Sequence, residues 1–316
     1  IALNNEPSQR EEDKYQRTAF DNLRIYNRPL SSAEVYDEYA KYRTSTFGSD
    51  REVPILPIPE EKIPVTLDGK IDPDEWLDAS IAPVMEKAPV SRYTNAKLRG
   101  RAYLKHDGEK LKIAFLSDCP VKSSKHTEAD AELWQDDSIE LHFMMPDKSY
   151  CQLILNGNGA LFDAKDKQTT WDSKAAIAVM TASDSWSLEI EIPFATLGGR
   201  PEKANFYLVE HGQQGLTALA WSCPSGQDFF SPNRFGKLIY ANEVFGIEEI
   251  GMPENGELAL KIRSSGEKTH AAVKLENGTS VDFQGKLPTD TWELQLPAGK
   301  QKIVVRSERD GEVTGF

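Results

Sequence analysis

Apolar and polar residues alternate through much of the chain between residues 63 and 240. In Ser138–Phe143, for example, the apolar Ile139, Leu141 and Phe143 occupy every second position, and polar residues fill the others. Successive side chains of a β-strand point to opposite faces, so this period of two predicts a strand with one buried and one solvent-exposed face. The pattern therefore predicts an all-β chain.

Strand signals recur along this region with turn residues between them. Residues 101–105 and 110–116 flank a turn with Asp107-Gly108 at its centre, which predicts a β-hairpin. Many short strands separated by Gly and Asn indicate an antiparallel β-sandwich or barrel. Further strands are predicted at 137–145, 150–156, 174–182, 185–192, 204–210, 216–222 and 235–239. The sandwich core is expected to contain Trp76, Trp186 and Trp221, with Trp76 closing a helical turn that begins at Asp72.

The regions outside 63–240 differ in character. Residues 1–43 contain a charged segment, then one strand and a short helix, which is too little to form a core. The proline-rich stretch 44–62 is predicted to be a linker. Residues 245–316 hold about six short alternating segments, which predict a smaller immunoglobulin-like β-sandwich.

Charge narrows the class of ligand. The 316 residues carry a net charge of −13, from 50 acidic and 37 basic residues. Nucleic acid is disfavoured as a partner, because its binding needs a concentrated basic surface. Neutral ligands are favoured over sulfated or uronic polymers, unless a local patch or a bound cation reverses the field. No apolar run of about 18 residues occurs, so no membrane span is predicted. The three cysteines, Cys119, Cys151 and Cys223, allow at most one disulfide.

Candidate chemistry precedes the strand Ser138–Phe143. Trp134 beside Asp136 and Asp137 can stack on a sugar ring while the carboxylates hold hydroxyls or a hard cation. In the alternative interpretation, the tryptophan caps the sandwich edge and the acids solvate a turn. Asp118 ends an earlier strand, and with Asp136 and Asp137 it forms a candidate calcium site, because oxygen-rich loops at strand ends suit this ion.

A catalytic alternative rests on pairs of carboxylates. Asp136 with Glu140, or Glu189 with Glu191, are candidates for the acid and base of glycoside hydrolysis. Glu189 and Glu191 share one face of a predicted strand, which is expected to be solvated. There is no phosphate-binding loop, HExxH motif or nucleophile elbow, and no histidine pair has metal-ligand spacing. We therefore expect no enzymatic activity, with a glycosidase or polysaccharide lyase as the alternative.

The order of motifs in 63–240 resembles the family 9 carbohydrate-binding modules. The segment Leu67–Asp72 followed by Trp76 is similar to the opening of that family. The later motifs are Ala114–Asp118, Trp134–Glu140, Trp186–Phe194, Leu197-Gly198, Trp221-Ser222 and Pro232–Gly236. The resemblance implies a calcium-bearing β-sandwich that binds sugars without cleaving them, as one module of a larger secreted glycoside-active protein.

The resemblance also implies a set of ligand-binding residues. Trp134 and Phe229 match two aromatic residues that sandwich a terminal sugar, although the family carries tryptophan at the second position. Glu140 and Asn156 match polar residues that hold sugar hydroxyls.

One position departs from the family pattern. The arginine that members carry on the same strand falls at Ile154, which cannot donate a hydrogen bond. Gln152, on the same face of that strand, is expected to substitute in part. Asp118 and Asp137 match the calcium region of the family.

Residues 19–35 resemble the last strand and terminal helix of laminin G-like, concanavalin-type jelly rolls. This implies that residues 1–43 are the tail of such a domain in a modular extracellular parent. The sequence thus predicts non-catalytic binding of a polysaccharide or oligosaccharide by a secreted or cell-surface protein, either a monomer or part of a multidomain chain. The alternatives are a spacer or protein-docking sandwich with a lost sugar site and, more remotely, a haem-binding relative.

Overall fold

The structure is a computed structural model. It describes residues 53–91, 99–213, 215–225, 228–250, 257–265, 268–275, 280–285, 289–295, 301–309 and 312–315. These residues fall in one compact unit, Glu52–Phe316. The predicted jelly-roll tail, 1–43, lies outside the described residues. Within the described ranges, no helix is both long and apolar enough to cross a membrane.

Nearly all of the regular secondary structure in the described residues is β-strand, which confirms the predicted fold class. Helical structure there is limited to a one-turn α-helix, Phe194–Leu197, and two 3₁₀ turns, Leu133–Gln135 and Pro232–Arg234. In chain order the strands are β1 (Ile55–Ile58), β2 (Ser80–Val84), β3 (Glu86–Lys87), β4 (Gly100–His106), β5 (Lys110–Ser117), β6 (Ser138–Met144), β7 (Tyr150–Asn156), β8 (Leu161–Lys165), β9 (Ala176–Thr181), β10 (Trp186–Pro193), β11 (Lys203–Gly212), β12 (Gly215–Ala220), β13 (Gly236–Tyr240), β14 (Phe245–Ile250), β15 (Glu257–Ser264), β16 (Lys268–Leu275), β17 (Ser280–Gly285), β18 (Thr289–Gln295), β19 (Gln301–Arg309) and β20 (Glu312–Gly315).

Two sheets form the sandwich around one shared core. The first runs in the order β1-β13-β11-β6-β7-β8, with β12 and β3 branching from β11. The second runs in the order β18-β15-β14-β2-β4-β5-β10-β9. The core cluster joins residues of both sheets, such as Leu141 and Phe143 of β6 with Phe115 of β5, all fully buried. Burial of these apolar faces is the main force that holds the sheets together.

Several sequence predictions are confirmed. The hairpin is formed by β4 and β5, which pair antiparallel from Gly100↔Ser117 to His106↔Leu111. Trp76, Trp186 and Trp221 are buried, with 1%, 3% and 6% of their surface exposed. All three cysteines are free thiols.

Strands β1, β2, β3 and β8 were not among the predicted strands. Strand β1 lies inside the stretch predicted as a linker, so this part of 44–62 belongs to the sandwich. It pairs parallel with β13 and ends the order of its sheet, which explains how a strand can contain Pro57. A proline lacks the N–H of a ladder hydrogen bond and is tolerated at a sheet edge.

The segment that opens the sandwich is held by a buried carboxylate. Trp76 N–H bonds to the Asp72 carbonyl at 3.2 Å, which closes the predicted turn. Glu189 Oε1 accepts from Trp76 Nε1 at 2.9 Å, and its Oε2 accepts from the N–H groups of Asp68 and Gly69, both at 2.9 Å. Glu189 is fully buried, so the expected solvated face is wrong at this position. Gly69 has φ +84° and packs against the backbone of Val179, where a side chain would clash.

The strands after residue 245 join two sheets. Strands β14, β15 and β18 extend the second sheet of the sandwich, and β14 meets β2 in parallel at Gly246↔Ile81. Strands β16, β17, β19 and β20 form a separate four-stranded sheet. The immunoglobulin-like domain at 245–316 stays a prediction.

Candidate functional site

A cavity of about 420 Å³ lies on the outer face of the first sheet, opposite the core. Trp134, Phe230 and Lys167 are exposed in its walls, so the cavity is open to solvent. Its lining residues are Val90, Trp134, Glu140, His142, Tyr150, Gln152, Ile154, Phe162, Lys167, Val209, Leu216, Asp228, Phe229 and Phe230. Four of the five residues predicted to bind a ligand are among them: Trp134, Glu140, Gln152 and Phe229.

Strand register explains why these side chains meet. Glu140 of β6 lies opposite Ile154 of β7, and Ile154 lies opposite Phe162 of β8. His142 lies opposite Gln152 in the next row of the same face. Paired residues of neighbouring strands share a face, so two rows of side chains form the cavity floor.

This outer face is not the solvated surface that alternation predicts. Glu140 and His142 are 4% and 1% exposed. Aromatic rings cover this face. The His142 ring lies 6.3 Å from the Phe229 ring and 6.1 Å from the Phe235 ring, measured between centroids. The strand therefore has two buried faces, and the polar one is enclosed beneath the cavity.

Trp134 is positioned by its neighbour on the 3₁₀ turn. Leu133 is fully buried against Ile154 and Phe162, which fixes the turn on the sheet. The indole ring contacts Phe162 almost at a right angle, with centroids 5.5 Å apart and an interplanar angle of 89°. Trp134 nevertheless keeps 46% of its surface exposed. Ile154, which replaces the expected arginine, thus gives apolar support to the residues beneath this tryptophan.

The second aromatic wall comes from the loop that precedes the 3₁₀ turn Pro232–Arg234. Phe229 stacks flat on Tyr207, with centroids 4.2 Å apart and an interplanar angle of 9°. The Tyr207 hydroxyl donates to the Phe229 carbonyl at 2.9 Å, which anchors the loop. Phe230 was not predicted as a site residue, yet it is 43% exposed and contacts the Tyr150 ring at 4.6 Å. One face of Phe229 is thus occupied by Tyr207, and Phe230 adds an exposed ring beside it.

A chain of hydrogen bonds runs beneath the rings. Glu140 Oε2 contacts His142 Nε2 at 2.9 Å and accepts from Gln152 Nε2 at 3.3 Å. His142 Nδ1 contacts the Tyr150 hydroxyl at 2.7 Å. A carboxylate can only accept, so His142 Nε2 carries the proton that is donated to Glu140. In that tautomer Nδ1 accepts from the Tyr150 hydroxyl, and burial raises the pKa of this phenol.

His142 and Tyr150 were not predicted from the sequence as site residues. The prediction selected separate positions on β6 and β7, whereas a whole face of these strands lines the cavity. Both follow from alternation, His142 two positions after Glu140 and Tyr150 two before Gln152. Within the described residues, Glu140 Oε1 has no hydrogen-bond partner, so it is available to a ligand hydroxyl.

Asn156, the fifth predicted residue, is not brought to the cavity. It is fully buried, and its Nδ2 donates to the His126 carbonyl and to Asp136 Oδ2, both at 2.8 Å. Its Oδ1 accepts from the N–H groups of Asn158 and Ala160 at 3.1 Å. All of its polar atoms are engaged within the protein, which makes Asn156 part of the loop framework.

The carboxylates predicted to bind calcium do not converge. Asp136 Oδ1 accepts from Lys125 N–H at 3.0 Å, and its Oδ2 lies 3.0 Å from His126 N. Asp137 Oδ2 accepts from Ser123 N–H at 2.9 Å. Both side chains thus hold the preceding loop through N–H donors, which occupy the oxygen lone pairs that a cation would need.

Asp118 lies elsewhere, in a separate cavity of about 270 Å³. There both of its oxygens contact Arg101 Nη2, at 2.5 and 2.6 Å. Among the described residues, no cluster of three or more His, Cys, Asp or Glu side chains is arranged to hold a metal ion. These three residues do not fit a calcium site, and calcium binding stays a prediction.

The carboxylate pairs considered for catalysis also have structural partners. Burial alone would raise the pKa of Asp136, but hydrogen bonds from Lys125, His126 and Asn156 outweigh it and leave the pKa below its ordinary value. Asp136 therefore stays ionised at neutral pH. Glu191 forms an ion pair with Lys110 at 2.6 Å, next to the buried Glu189. Neither pair flanks one open cavity in the described structure, because Glu140 lines the open cavity without Asp136 and Glu189 is fully buried.

Comparisons with known proteins give similarities in structure. No family model matches the chain, and no curated protein matches it. A candidate carbohydrate-binding protein from Bacteroides uniformis is 16% identical, with a TM-score of 0.49 over 59% of this chain and 99% of that one.

Two further structures are of a family 9 carbohydrate-binding module from Caldicellulosiruptor kristjanssonii. The cellotriose complex is 15% identical, with a TM-score of 0.45 over 59% of this chain and 94% of that one. The glucose complex is 14% identical, with a TM-score of 0.44 over 59% of this chain and 96% of that one. Cellotriose and glucose are ligands of that module. The chain is thus similar to family 9 modules in its motifs and among solved structures.

Proposed function

We propose that the protein binds carbohydrate without cleaving it, in the cavity on the outer face of the first sheet. The observation that carries this proposal is an exposed indole, Trp134, at an open cavity that Phe229 and Phe230 also line. Flat apolar rings suit the faces of a pyranose, and the buried carboxylate of Glu140 suits its hydroxyls.

Binding energy in this proposal comes from the rings, and orientation comes from the polar floor. A good aromatic contact contributes about 1–3 kcal/mol by analogy with other ring stacking. In this proposal Glu140 accepts hydrogen bonds from sugar hydroxyls and Gln152 donates to them. The contact with His142 keeps Glu140 in place. A shallow site of this kind is expected to bind in the micromolar to millimolar range.

The parent protein is proposed to be a larger secreted or cell-surface polysaccharide-active protein, in which this chain is a binding module. The motif resemblance supports that setting. The alternative of a spacer with a lost sugar site is disfavoured. Trp134 is 46% exposed at a cavity, and an exposed apolar surface of this size is typical of a binding site.

Affinity electrophoresis and calorimetry against a panel of neutral and acidic polysaccharides test the proposal. Trp134→Ala is expected to weaken binding about tenfold or more, because it removes a whole stacking surface. Leu77→Ala is the matched control, since Leu77 is 56% exposed and lies outside the cavity. Unchanged affinity in Trp134→Ala, or no binding to any glycan, would overturn the proposal.

A further inference from the structure

A strained turn lies at the rim of the same cavity. Strand β8 ends in a tight turn in which Lys165 and Gln168 exchange backbone hydrogen bonds, at 3.2 and 2.8 Å. The two central residues, Asp166 and Lys167, have φ values of +49° and +67°. Such a turn normally takes Asn-Gly, because a residue with a Cβ atom is strained at positive φ. An Asp-Lys pair is therefore unusual here, and a lysine is the less suited of the two residues.

The turn is tied to the cavity wall. Asp166 N–H donates to the Tyr150 carbonyl at 2.8 Å, and Asp166 Oδ1 accepts from Tyr150 N–H at 2.8 Å. Tyr150 lines the cavity and bonds to His142. The hydrogen bonds through Asp166 thus hold Lys167 in a defined place beside the aromatic rings.

Lys167 brings a positive charge to this rim. It is exposed and lines the cavity, and it forms no ion pair with any residue that the structure describes. Two other exposed lysines at positive φ do have acidic partners, Lys148 with Glu202 and Lys174 with Asp172. Two carboxylates also line the cavity: Glu140 is buried and held by His142 and Gln152, and the exposed Asp228 accepts from Phe230 N–H at 2.9 Å. Lys167 therefore supplies a local positive charge at its own side of a cavity that also holds two negative ones.

We propose that Lys167 is a specificity-determining residue that makes the cavity prefer glycans with an anionic substituent, a carboxylate or a sulfate. The inference rests on the proposed function and names the ligand class of that site. The chain as a whole carries −13 and repels anions at long range, so attraction must come from a local cation. A lysine ammonium is a point charge without the forked geometry of arginine, so it suits both kinds of anion.

Binding is measured for matched pairs of oligosaccharides. One pair is an oligouronate and its carboxyl-reduced form, and the other is a sulfated oligosaccharide and its desulfated form. The wild-type protein is expected to bind at least one anionic member about fivefold more tightly than its neutral partner, the scale of an exposed ion pair. The preference is expected to shrink as salt is raised.

Three variants locate the effect. Lys167→Gln is expected to abolish the preference while keeping affinity for the neutral member, and Lys167→Arg is expected to keep the preference. Lys148→Gln is the matched control, because Lys148 is also exposed in a turn with φ +70° but does not line the cavity. It is expected to behave as the wild type does.

The outcomes separate this inference from the proposed function. Equal affinity for both members of each pair, with Trp134→Ala still weakening binding, overturns the role of Lys167 and leaves the proposed function standing. A preference that survives in Lys167→Gln also overturns it. A wild-type preference within one pair alone, lost in Lys167→Gln, supports the inference and identifies the anion. Binding to no glycan at all overturns both.

Discussion

Glu189 shows how a single buried side chain can organise a distant segment. Its two oxygens receive three N–H groups from Asp68, Gly69 and Trp76, which lie more than a hundred positions earlier in the chain. Burial raises the pKa of Glu189 above its ordinary value, although these hydrogen bonds oppose the shift. Burying this side chain thus carries a cost that its three donors offset in part.

Glu189→Gln is expected to lower the free energy of unfolding by about 1–3 kcal/mol, because the amide group turns an NH₂ toward a donor and leaves it unpaired. Glu191→Gln is the control on the same strand and face. Glu191 is paired with the exposed Lys110 and lies 3.5 Å from Lys112, which keeps Glu61 as a partner, so its change is expected to cost about 0–1 kcal/mol. Urea denaturation of both variants measures the difference, and equal losses would contradict the role given to Glu189.

For single residues, the sequence predicts which face of a strand a side chain occupies. It predicts less well which other segments of the chain cover that face. Alternation correctly groups Glu140 with its strand neighbours, and the structure places Glu140 and Gln152 in one cavity. Alternation does not predict that residues 68–76 cover Glu189, or that the polar atoms of Asn156 are hydrogen-bonded to a loop. Those contacts join segments far apart in sequence, and a local pattern does not contain them.

An Asp-Lys pair occurs in two turns of the first sheet. In the turn between β6 and β7, at Asp147 and Lys148, only the lysine has a positive φ, whereas in the turn after β8, at Asp166 and Lys167, both residues do. Aspartate tolerates positive φ better than most residues, because its short side chain bonds to nearby backbone. In the second turn this partner is Tyr150 N–H, so the aspartate also fixes the turn to β7.

Asp166→Ala is therefore expected to destabilise the protein by about 1–3 kcal/mol, through positive-φ strain and the lost hydrogen bond. Asp166→Asn retains an acceptor oxygen and a residue that tolerates this conformation, so it is expected to be close to neutral. The midpoint of chemical unfolding distinguishes the two. Similar losses in both variants would show that the carboxylate charge, and not the turn geometry, matters here.

Element prediction succeeded where strands are long and alternating, as in β6 and β10, and failed for short or unusual ones. Strand β8 has only five residues, of which Asp163 is a buried acid that accepts from Ser173 N–H at 2.8 Å. Pro57 lies within strand β1 and Pro54 directly precedes it, and these two prolines locally favour a linker. Its pairing with β13 is a tertiary contact that overrides the local signal.

Across the whole molecule, part of the acidic excess is engaged in internal contacts. Asp78 bonds to the fully buried ammonium of Lys105 at 2.7 Å, and Lys105 also donates to the carbonyls of Ile63 and Glu75. Asp107 holds the β4–β5 turn by accepting from the N–H groups of Glu109 and Lys110. Part of the net charge of −13 therefore belongs to acidic groups that stabilise the fold, and the rest contributes to the electrostatic field around the protein.

This arrangement sets the response of the protein to acid. For Asp78, Asp107 and Asp136, burial alone would raise the pKa, but hydrogen bonds and nearby cations outweigh it and lower the pKa. When the folded-state pKa is below the unfolded value, the unfolded chain takes up protons first as the pH falls. The stability from these groups is therefore fully present above about pH 4 to 5 and is lost as the pH falls through the lowered pKa values.

Asp107→Asn tests this linkage, because the amide keeps the Oδ1 acceptor and removes the titrating charge with its 3.5 Å ion pair to Lys112. The free energy of unfolding of the wild type is expected to fall between about pH 5 and pH 2, and that of Asp107→Asn is expected to fall less over the same range. Asp74→Asn, an exposed position in the turn before Trp76, is expected to follow the wild-type slope. Parallel slopes for all three proteins would mean that acid acts through groups other than this turn carboxylate.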